Sequence, residues 1–329
     1  MIKWYVFFSA AAIRLFFQAG GNGIRRTRHG AVHRQVGRRT KALDQRSDLP
    51  RWRALCETIP GATAMQTAAC VGFRARGISG AAASFIGFGL PAFLLMVGLS
   101  TFYGRSHALP AVMAAFNGLQ AIVVTIVANA TVMFGKTFLK DLQAVGIALI
   151  AAVLFAFEVS PILVIVLAAM LGIVLSNRSP PPIFVPQSQS ESHSTKSLML
   201  IASIAALGFG ALFFVQRQLF DLAAIMLRID LFAFGGGFAS VPLMFHEFVE
   251  VRSWIDAQTF LNGIALGQIT PGPIVITATF VGYMAYGLIG AIVATVSVFL
   301  PSFLIVIGVT PYFDRLRMSV YFSRATGAI

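Results

Sequence analysis

The chain has 329 residues, of which 57% are hydrophobic and 11% are charged, and it carries a formal net charge of +13. Soluble domains are roughly 45–50% apolar and about 25% charged, so this composition excludes a soluble globular protein. In a membrane protein, a large positive charge belongs to Lys- and Arg-rich loops that face the cytoplasm and meet anionic lipid headgroups. The sequence therefore predicts the lipid bilayer as a partner and predicts no nucleic acid.

Long stretches without a charged residue predict an all-α, polytopic integral membrane protein. About 20 apolar residues in a helix cross the hydrocarbon layer, and the longest uncharged stretch, Ala257–Phe313, has 57 residues. Met1–Gln18 is interpreted as a first membrane helix that is retained, because no signal-peptide cleavage site follows it. Further helices in the first half are predicted at about Gly80–Tyr103, Leu109–Phe134, Leu142–Phe157 and Ser160–Ser176.

Two polar stretches interrupt the apolar segments. Arg25–Arg53 holds ten Lys or Arg residues within 29 positions, and we expect it to form a solvated loop on the cytoplasmic face. Asn177–Ser197 is rich in Pro, Ser and Gln, which is typical of a flexible linker. The sequence thus divides into a first repeat over 1–176, a linker over 177–197 and a second repeat over 198–329.

The duplication is visible in the residues themselves. Ile59–Arg105 resembles Thr270–Arg315, and after a one-residue gap identical residues recur 210 positions later. Lys and Arg mark the cytoplasmic end of a helix, and they mostly precede the long helix in the first copy but follow it in the second. We therefore expect inverted repeats, an architecture in which a carrier's binding site lies between the two copies. The recurring residues are Gly72, Gly77, Gly80, Ala81, Leu90, Pro91, Phe93, Leu94, Gly98 and Arg105.

A Pro-Gly step precedes a short apolar segment in each copy, as Pro60-Gly61 and as Pro271-Gly272-Pro273. Proline lacks an amide donor and glycine tolerates unusual dihedral angles, so neither segment continues as a straight helix. Broken or re-entrant helices at matching positions of two repeats indicate a binding site, where backbone N–H groups bind an anion. A plain kink or an interfacial turn is the alternative.

Three glycines, Gly235, Gly236 and Gly237, lie within the apolar segment Phe232–Phe238. Such a run permits close helix packing, which is its commoner use, or forms a nest of N–H groups that binds anions. Both interpretations stay open.

The acidic residues Glu247 and Glu250 lie close to His246 and Trp254. In an α-helix, Glu247, Glu250 and Trp254 would share one face. Ionisable groups near the bilayer are costly and often mark proton or ion pathways. An amphipathic interfacial helix with Trp254 at the headgroups explains the same pattern.

Pro91 and Pro301 occupy equivalent positions inside long predicted helices, where we expect kinks. The sequence contains no P-loop, GxSxG or HExxH motif. His29 and His33 have the i, i+4 spacing of metal ligands, but they lie in an Arg-rich stretch without acidic residues, which favours a solvated loop. The sequence therefore predicts no enzymatic activity, no cofactor and no metal site.

These motifs, in their order, resemble the chromate ion transporter family. The resemblance is carried by Phe234 to Gly237, His246-Glu247, Glu250, Trp254, Gln268, Pro271 to Pro273 and Gly282-Tyr283, and it covers roughly Ile59–Asn177 and Leu227–Ile329. It implies a two-domain, multi-pass carrier of the plasma (inner) membrane that exports chromate, in exchange for sulfate or coupled to ions.

The resemblance also suggests roles for single residues. The candidate substrate-binding residues are Pro60, Gly61, Gly235, Gly236, Gly237, Gln268, Pro271, Gly272 and Pro273. Glu247 and Glu250 are the candidate ion-coupling residues, and Trp254, Pro91 and Pro301 are given structural roles.

Two departures from the family pattern lead to further expectations. A family-like first half would carry its own glycine motif and Glu-bearing helix, whereas residues 22–54 are basic and lack both. We hypothesise a compensated frameshift or a sequencing error there. The repeat offset places Ile329 opposite Leu119, inside a helix of the first copy, so we expect the second copy to be C-terminally incomplete.

The sequence favours a secondary active carrier that holds chromate or a sulfate-like oxyanion between the two Pro-Gly breaks. The alternative is a transporter fragment or membrane scaffold without transport activity. A homo-oligomer is left open as a further partner.

Overall fold

The computed structural model describes residues 59–106, 109–139, 141–157, 159–175, 192–234 and 237–310. The predicted first helix at Met1–Gln18, the basic segment over 22–54, most of the linker, and Gly235 and Gly236 lie outside the described residues.

Throughout the described part of the chain the regular structure is helical, as the composition predicted. Its α-helices are α1 (Thr63–Ser106), α2 (Pro110–Phe138), α3 (Leu142–Ala156), α4 (Pro161–Leu175), α5 (Ser192–Val215), α6 (Arg217–Phe232), α7 (Ser240–Phe245), α8 (Ala257–Ile269) and α9 (Thr277–Val309). A π-helix (His246–Val251) follows α7 directly, and a 3₁₀ turn (Ile274–Ile276) precedes α9.

Among the described residues, three spans are long and apolar enough to cross a membrane: Thr63–Ser106, Pro110–Met133 and Ile274–Val309. The helices predicted in the first half correspond to the second part of α1 and to α2, α3 and α4. Helix α5 begins at Ser192, before the expected linker end at Ser197, because a helix bonds its own backbone and can continue through polar residues.

Elements α1 and α9 are each a helical hairpin. In α1 the break lies at Arg76 and Gly77, where Gly77 has φ 66° and ψ −148°, and in α9 it lies at Tyr286 and Gly287, where Gly287 has φ 63° and ψ −153°. Only glycine adopts these angles without strain. Each hairpin therefore has a short arm, over 63–75 or 277–285, and a long arm, over 78–106 or 288–309.

The two arms of each hairpin touch through glycine. An ideal Cβ on Gly72 would lie 2.3 Å from the carbonyl oxygen of Gly80, and one on Gly282 would lie 2.3 Å from that of Gly290. The second pair of glycines follows the first at the 210-residue repeat spacing, so the structure confirms two helical repeats that contain broken helices. The non-helical dihedral angles in α1 and α9 fall at the glycine turns, and the kinks expected at Pro91 and Pro301 stay a prediction.

The two hairpins run antiparallel to each other. Cys70 lies near the first turn, and its Sγ is 3.4 Å from Oγ1 of Thr310 at the far end of the second long arm. In the reciprocal contact, Thr101 near the far end of the first long arm donates to the hydroxyl of Tyr283 near the second turn, at 3.0 Å. Each turn thus lies beside the far end of the other long arm, as expected for inverted repeats.

The core forms where the two hairpins cross and where α6 packs along α9. The Phe85 ring lies 6.1 Å from the Phe299 ring and 4.9 Å from the Phe303 ring, measured between centroids. A buried polar chain ties α8 to both neighbours: Gln120 of α2 donates to Asn262 at 2.7 Å, and Asn262 donates to the Tyr103 hydroxyl of α1 at 3.0 Å. These contacts join α8, which ends just before the second Pro-Gly break, to α1 and α2.

Candidate functional site

The first Pro-Gly break is held by the end of α6 and by the long arm of the second repeat. Gly61 has φ +111°, and its amide donates to the carbonyl oxygen of Ala233 at 3.0 Å. An ideal Cβ on Gly61 would lie 2.6 Å from Cβ of Ser302, the residue after Pro301. Gln66 donates through Nε2 to the Pro60 carbonyl oxygen at 2.6 Å, which closes the start of the short arm.

The second break repeats this contact with the roles of the repeats exchanged. An ideal Cβ on Gly272 would lie 2.6 Å from Cβ of Ala92, the residue after Pro91, and Ala92 and Ser302 are 210 positions apart. Each break therefore packs against the middle of the other repeat's long arm. This exchange of partners is what an approximate two-fold axis between the repeats requires.

The segment that carries the glycine motif contacts both breaks. Ala233 accepts the hydrogen bond from Gly61, and an ideal Cβ on Gly237 would lie 2.6 Å from a methyl carbon of Ile274 and 2.8 Å from one of Val275, just after Pro273. The structure therefore joins three of the predicted substrate-binding elements at one place. Gly237 packs closely there, and Gly235 and Gly236 lie outside the described residues.

Within the described part of the chain, two amide side chains near the breaks each have a buried atom without a hydrogen-bond partner. Gln268, in the last turn of α8 before Pro271, has an unpaired Nε2, and Gln66 has an unpaired Oε1. A buried donor without an acceptor is costly, so Gln268 offers an N–H group that a bound oxyanion would satisfy.

The acidic pair does not share one helical face, so that expectation was wrong. Residues His246–Val251 form a π-helix, which Trp254 follows, and the spacing of an α-helix does not apply. Glu247 is buried and contacts Nη2 of Arg228, and its Oε2 lies 3.6 Å from Nε of Arg252. Glu250 is half-exposed and pairs with Nδ1 of His246 at 2.7 Å. Glu247 and Glu250 therefore have separate partners.

Trp254 anchors the loop after the π-helix on the second hairpin. Its ring centroid lies 5.5 Å from that of Phe248 and 5.4 Å from that of Tyr286 at the second turn. The guanidinium carbon of Arg252 lies 5.5 Å from the centroid of the Trp254 ring. These contacts agree with a structural role, and they place the acidic pair at the end of the molecule that carries the second turn.

Asp256 caps the N-terminus of α8 in the same loop. Its carboxylate accepts from Thr259 Oγ1 at 2.6 Å and from the Thr259 amide at 2.8 Å. Both hydrogen bonds lower the pKa of Asp256 below its usual value, and the bond from the Thr259 hydroxyl contributes the most. Because the folded-state pKa is depressed, the stabilisation from the cap is present at neutral pH and is lost as the pH falls through that lowered pKa.

Comparison with known proteins decides the family. The family model described as "Chromate transporter" matches residues 28–173 and 220–329, well over half of the chain. The chain belongs to the chromate transporter family. This membership confirms the resemblance drawn from the motifs, and together with the three apolar spans it establishes an integral membrane protein with several membrane-spanning helices.

Curated relatives cover most of the chain. An uncharacterized transporter of Methanocaldococcus jannaschii is 43% identical over 275 residues, which are 82% of this chain and 67% of the relative. A chromate transport protein of Pseudomonas aeruginosa is 30% identical over 81% of this chain and 63% of its own length, and one of Cupriavidus metallidurans is 28% identical over 87% and 69%. The chain spans about two thirds of the length of these relatives. No solved structure matches it.

The match to the chromate transporter family begins at residue 28, inside the basic segment over 22–54. The hypothesis of a frameshift or sequencing error in that segment stays a prediction, as do the residue boundaries of the two repeats, the linker over 177–197 and the homo-oligomer.

Three further residues of this site were not predicted from the sequence: Arg228, Asp230 and Ser302. Arg228 was missed because only the fold shows that it meets Glu247. Asp230 did carry a signal, since it is an ionisable residue between apolar residues, just before the glycine motif. Ser302 became relevant only when the structure placed it against Gly61.

Proposed function

We propose that this chain carries an oxyanion of the chromate or sulfate type across the membrane, in the outward direction, as a secondary active carrier of the plasma membrane. One observation carries the proposal: the glycine-bearing segment contacts both Pro-Gly breaks, between two antiparallel repeats. Helix starts and unpaired N–H groups at such a place favour an anion.

The proposed oxyanion lies among the breaks and the end of α8. The Nε2 group of Gln268 is an unpaired donor, and the helix starts after Gly61 and after Pro273 supply backbone N–H groups. A tetrahedral dianion accepts several such hydrogen bonds without any change in its own covalent bonds. The role of Glu247 or Glu250 as acceptor of a coupling proton stays a prediction.

Flux in proteoliposomes tests the proposal. Purified chain is reconstituted, and efflux of labelled chromate and of labelled sulfate is followed with and without the other anion on the opposite side. We expect saturable flux well above that of protein-free liposomes, and stimulation by the opposite anion if the carrier exchanges the two. Flux equal to that of protein-free liposomes would favour the alternative, a membrane scaffold without transport activity.

A substitution in α8 tests the placement of the oxyanion. Q268E replaces the unpaired donor with a carboxylate that repels an anion, so we expect at least a tenfold loss of apparent affinity for sulfate. Q258E makes the same chemical change at an exposed position in the first turn of the same helix, and we expect it to transport normally. Equal affinity in Q268E and Q258E would remove Gln268 from the site.

A further inference from the structure

Asp230 is a fully buried carboxyl group at the place where the two repeats meet. Its exposed fraction is 0%. One oxygen, Oδ2, accepts from the amide of Ser302 at 2.8 Å, while the other, Oδ1, has no hydrogen-bond partner among the residues that the structure describes. An isolated carboxylate without full hydrogen bonding is costly to bury, so a structural role as a permanent anion does not account for this arrangement.

The unpaired oxygen faces the first Pro-Gly break. An ideal Cβ on Gly61 would lie 2.9 Å from Oδ1 of Asp230, and Ala233, one helical turn after Asp230, accepts the hydrogen bond from the Gly61 amide. Asp230 therefore lies at the edge of the proposed oxyanion site.

The ionisable groups on the elements around Asp230 are engaged with other partners or lie far along their helices. On α6, Arg228 contacts Glu247, and Arg217 lies 3.8 Å from Asp221. On α9, Tyr283 binds Thr101 and Tyr286 packs on Trp254. Helix α7 and residues 199–215 of α5 contain no ionisable side chain.

The first hairpin adds no cation at this carboxyl group either. Cys70 contacts Thr310, and Tyr103 binds Asn262. Arg74 and Arg76 lie at the first turn, and Arg105 lies in the last turn of α1. Glu247 differs from Asp230 in this respect, because it faces the guanidinium groups of Arg228 and Arg252.

From this geometry we infer that Asp230 is a proton-binding site of the carrier and takes up one proton together with the oxyanion. The inference rests on the proposed function. A carboxylate and a dianion held side by side repel each other, and addition of a proton to Asp230 removes this repulsion by neutralising the carboxylate. By linkage, the proton raises the affinity for the oxyanion and the oxyanion raises the affinity for the proton by the same factor.

The proton comes from the aqueous phase on the side where the oxyanion enters and leaves on the side where it is released. No bond of the oxyanion is broken. A dianion that moves with one proton transfers a single net negative charge, so a membrane potential that is negative inside drives the pair outward.

Sulfate binding and flux across the near-neutral pH range test the inference, because sulfate stays a dianion throughout that range. We expect the affinity of the wild-type chain for sulfate to rise as the pH falls, by up to about tenfold per pH unit for one linked proton. D230N cannot exchange a proton, so its affinity should be independent of pH and close to the acidic limit of the wild type. D221N, on the same helix but partly exposed and paired with Arg217, should keep the wild-type dependence.

Three other outcomes would each contradict either the assignment of the proton to Asp230 or the proposed function. Sulfate binding by D230N with the wild-type pH dependence would overturn the inference and leave the proposed function intact. Loss of the dependence in E247Q and not in D230N would assign the proton to Glu247 instead. A wild-type chain without sulfate or chromate binding or flux at any pH would remove the proposed function itself.

A second measurement uses the wild-type chain and does not depend on the folding of D230N. Dicyclohexylcarbodiimide reacts with protonated carboxyl groups in apolar surroundings and forms a stable acylurea. Mass spectrometry should find this adduct on Asp230 in increasing yield as the pH falls. Labelling of other carboxyl groups with none on Asp230 at any pH would overturn the inference.

Discussion

Gly61 has no room for a side chain larger than a hydrogen atom. Its φ of +111° is strained for any residue with a Cβ, and that Cβ would lie 2.6 Å from Cβ of Ser302 and 2.9 Å from Oδ1 of Asp230. Because strain of this kind costs about 1–3 kcal/mol, we expect G61A to lower the thermal stability of the purified chain and to abolish sulfate flux.

Gly98 provides the matched control for this substitution. It lies inside the long arm of α1 with nothing within 4 Å of an ideal Cβ, and alanine in a helix is favoured over glycine by roughly 0.5–1 kcal/mol. G98A should therefore unfold at the wild-type temperature or slightly above it. A G61A chain as stable and as active as G98A would contradict the close packing of the first break.

Single residues also show which features of the site could be predicted from the sequence and which could not. The Pro-Gly steps were predictable because proline and glycine act on the local backbone. The shared face of Glu247, Glu250 and Trp254 was predicted wrongly, because the π-helix over His246–Val251 changes the angular spacing and leaves no clear mark in the sequence. The contact between Asp230 and Ser302 joins residues far apart in the chain, and no local pattern encodes it.

The hairpin is the element on which the fold depends. The short and long arms approach so closely that an ideal Cβ on Gly282 would lie 2.3 Å from the backbone oxygen of Gly290. Backbone cannot move aside as a side chain can, so we expect G282A to destabilise the second hairpin by about 1–3 kcal/mol or more. Thermal unfolding followed by size-exclusion chromatography in detergent measures this loss.

The first repeat supplies a parallel test, and α2 supplies the control. Gly72 occupies the equivalent position, with an ideal Cβ 2.3 Å from the Gly80 oxygen, so G72A should cause a loss of the same size. Gly118 in α2 has nothing within 4 Å, and G118A should leave stability unchanged. Tolerance of both G72A and G282A would mean that the arms do not pack as described.

The elements also show where prediction was limited. Apolar length predicted the long helices, and the prolines were expected to bend them. The reversals of chain direction lie at Gly77 and Gly287, because the chain needs a positive φ to fold back on itself. A glycine within an apolar run is a weaker sequence signal for a turn than a proline is for a kink. The recurrence of these glycines after 210 residues was the available signal.

For the whole molecule, the duplication and its inversion were predictable from two independent features. Identical residues at a fixed spacing indicated the two copies, and the opposite placement of Lys and Arg around the long helices indicated their opposite orientation. The distribution of charge indicates how helices are oriented in the membrane, and it carries no information on the contacts between them. The packing of each Pro-Gly break against the other repeat's long arm therefore had to come from the structure.

A disulfide tests this arrangement directly. Cys70 Sγ and Thr310 Oγ1 lie 3.4 Å apart, so T310C brings two sulfur atoms close enough to bond after a small side-chain rotation. With Cys56 replaced by serine, mild oxidation should remove both thiols of the T310C chain, as counted by maleimide addition and mass spectrometry.

Parallel repeats would instead place the second turn beside Cys70. M284C, near that turn, is therefore the control: it should keep both thiols, and a disulfide in M284C but not in T310C would show that the repeats are not inverted.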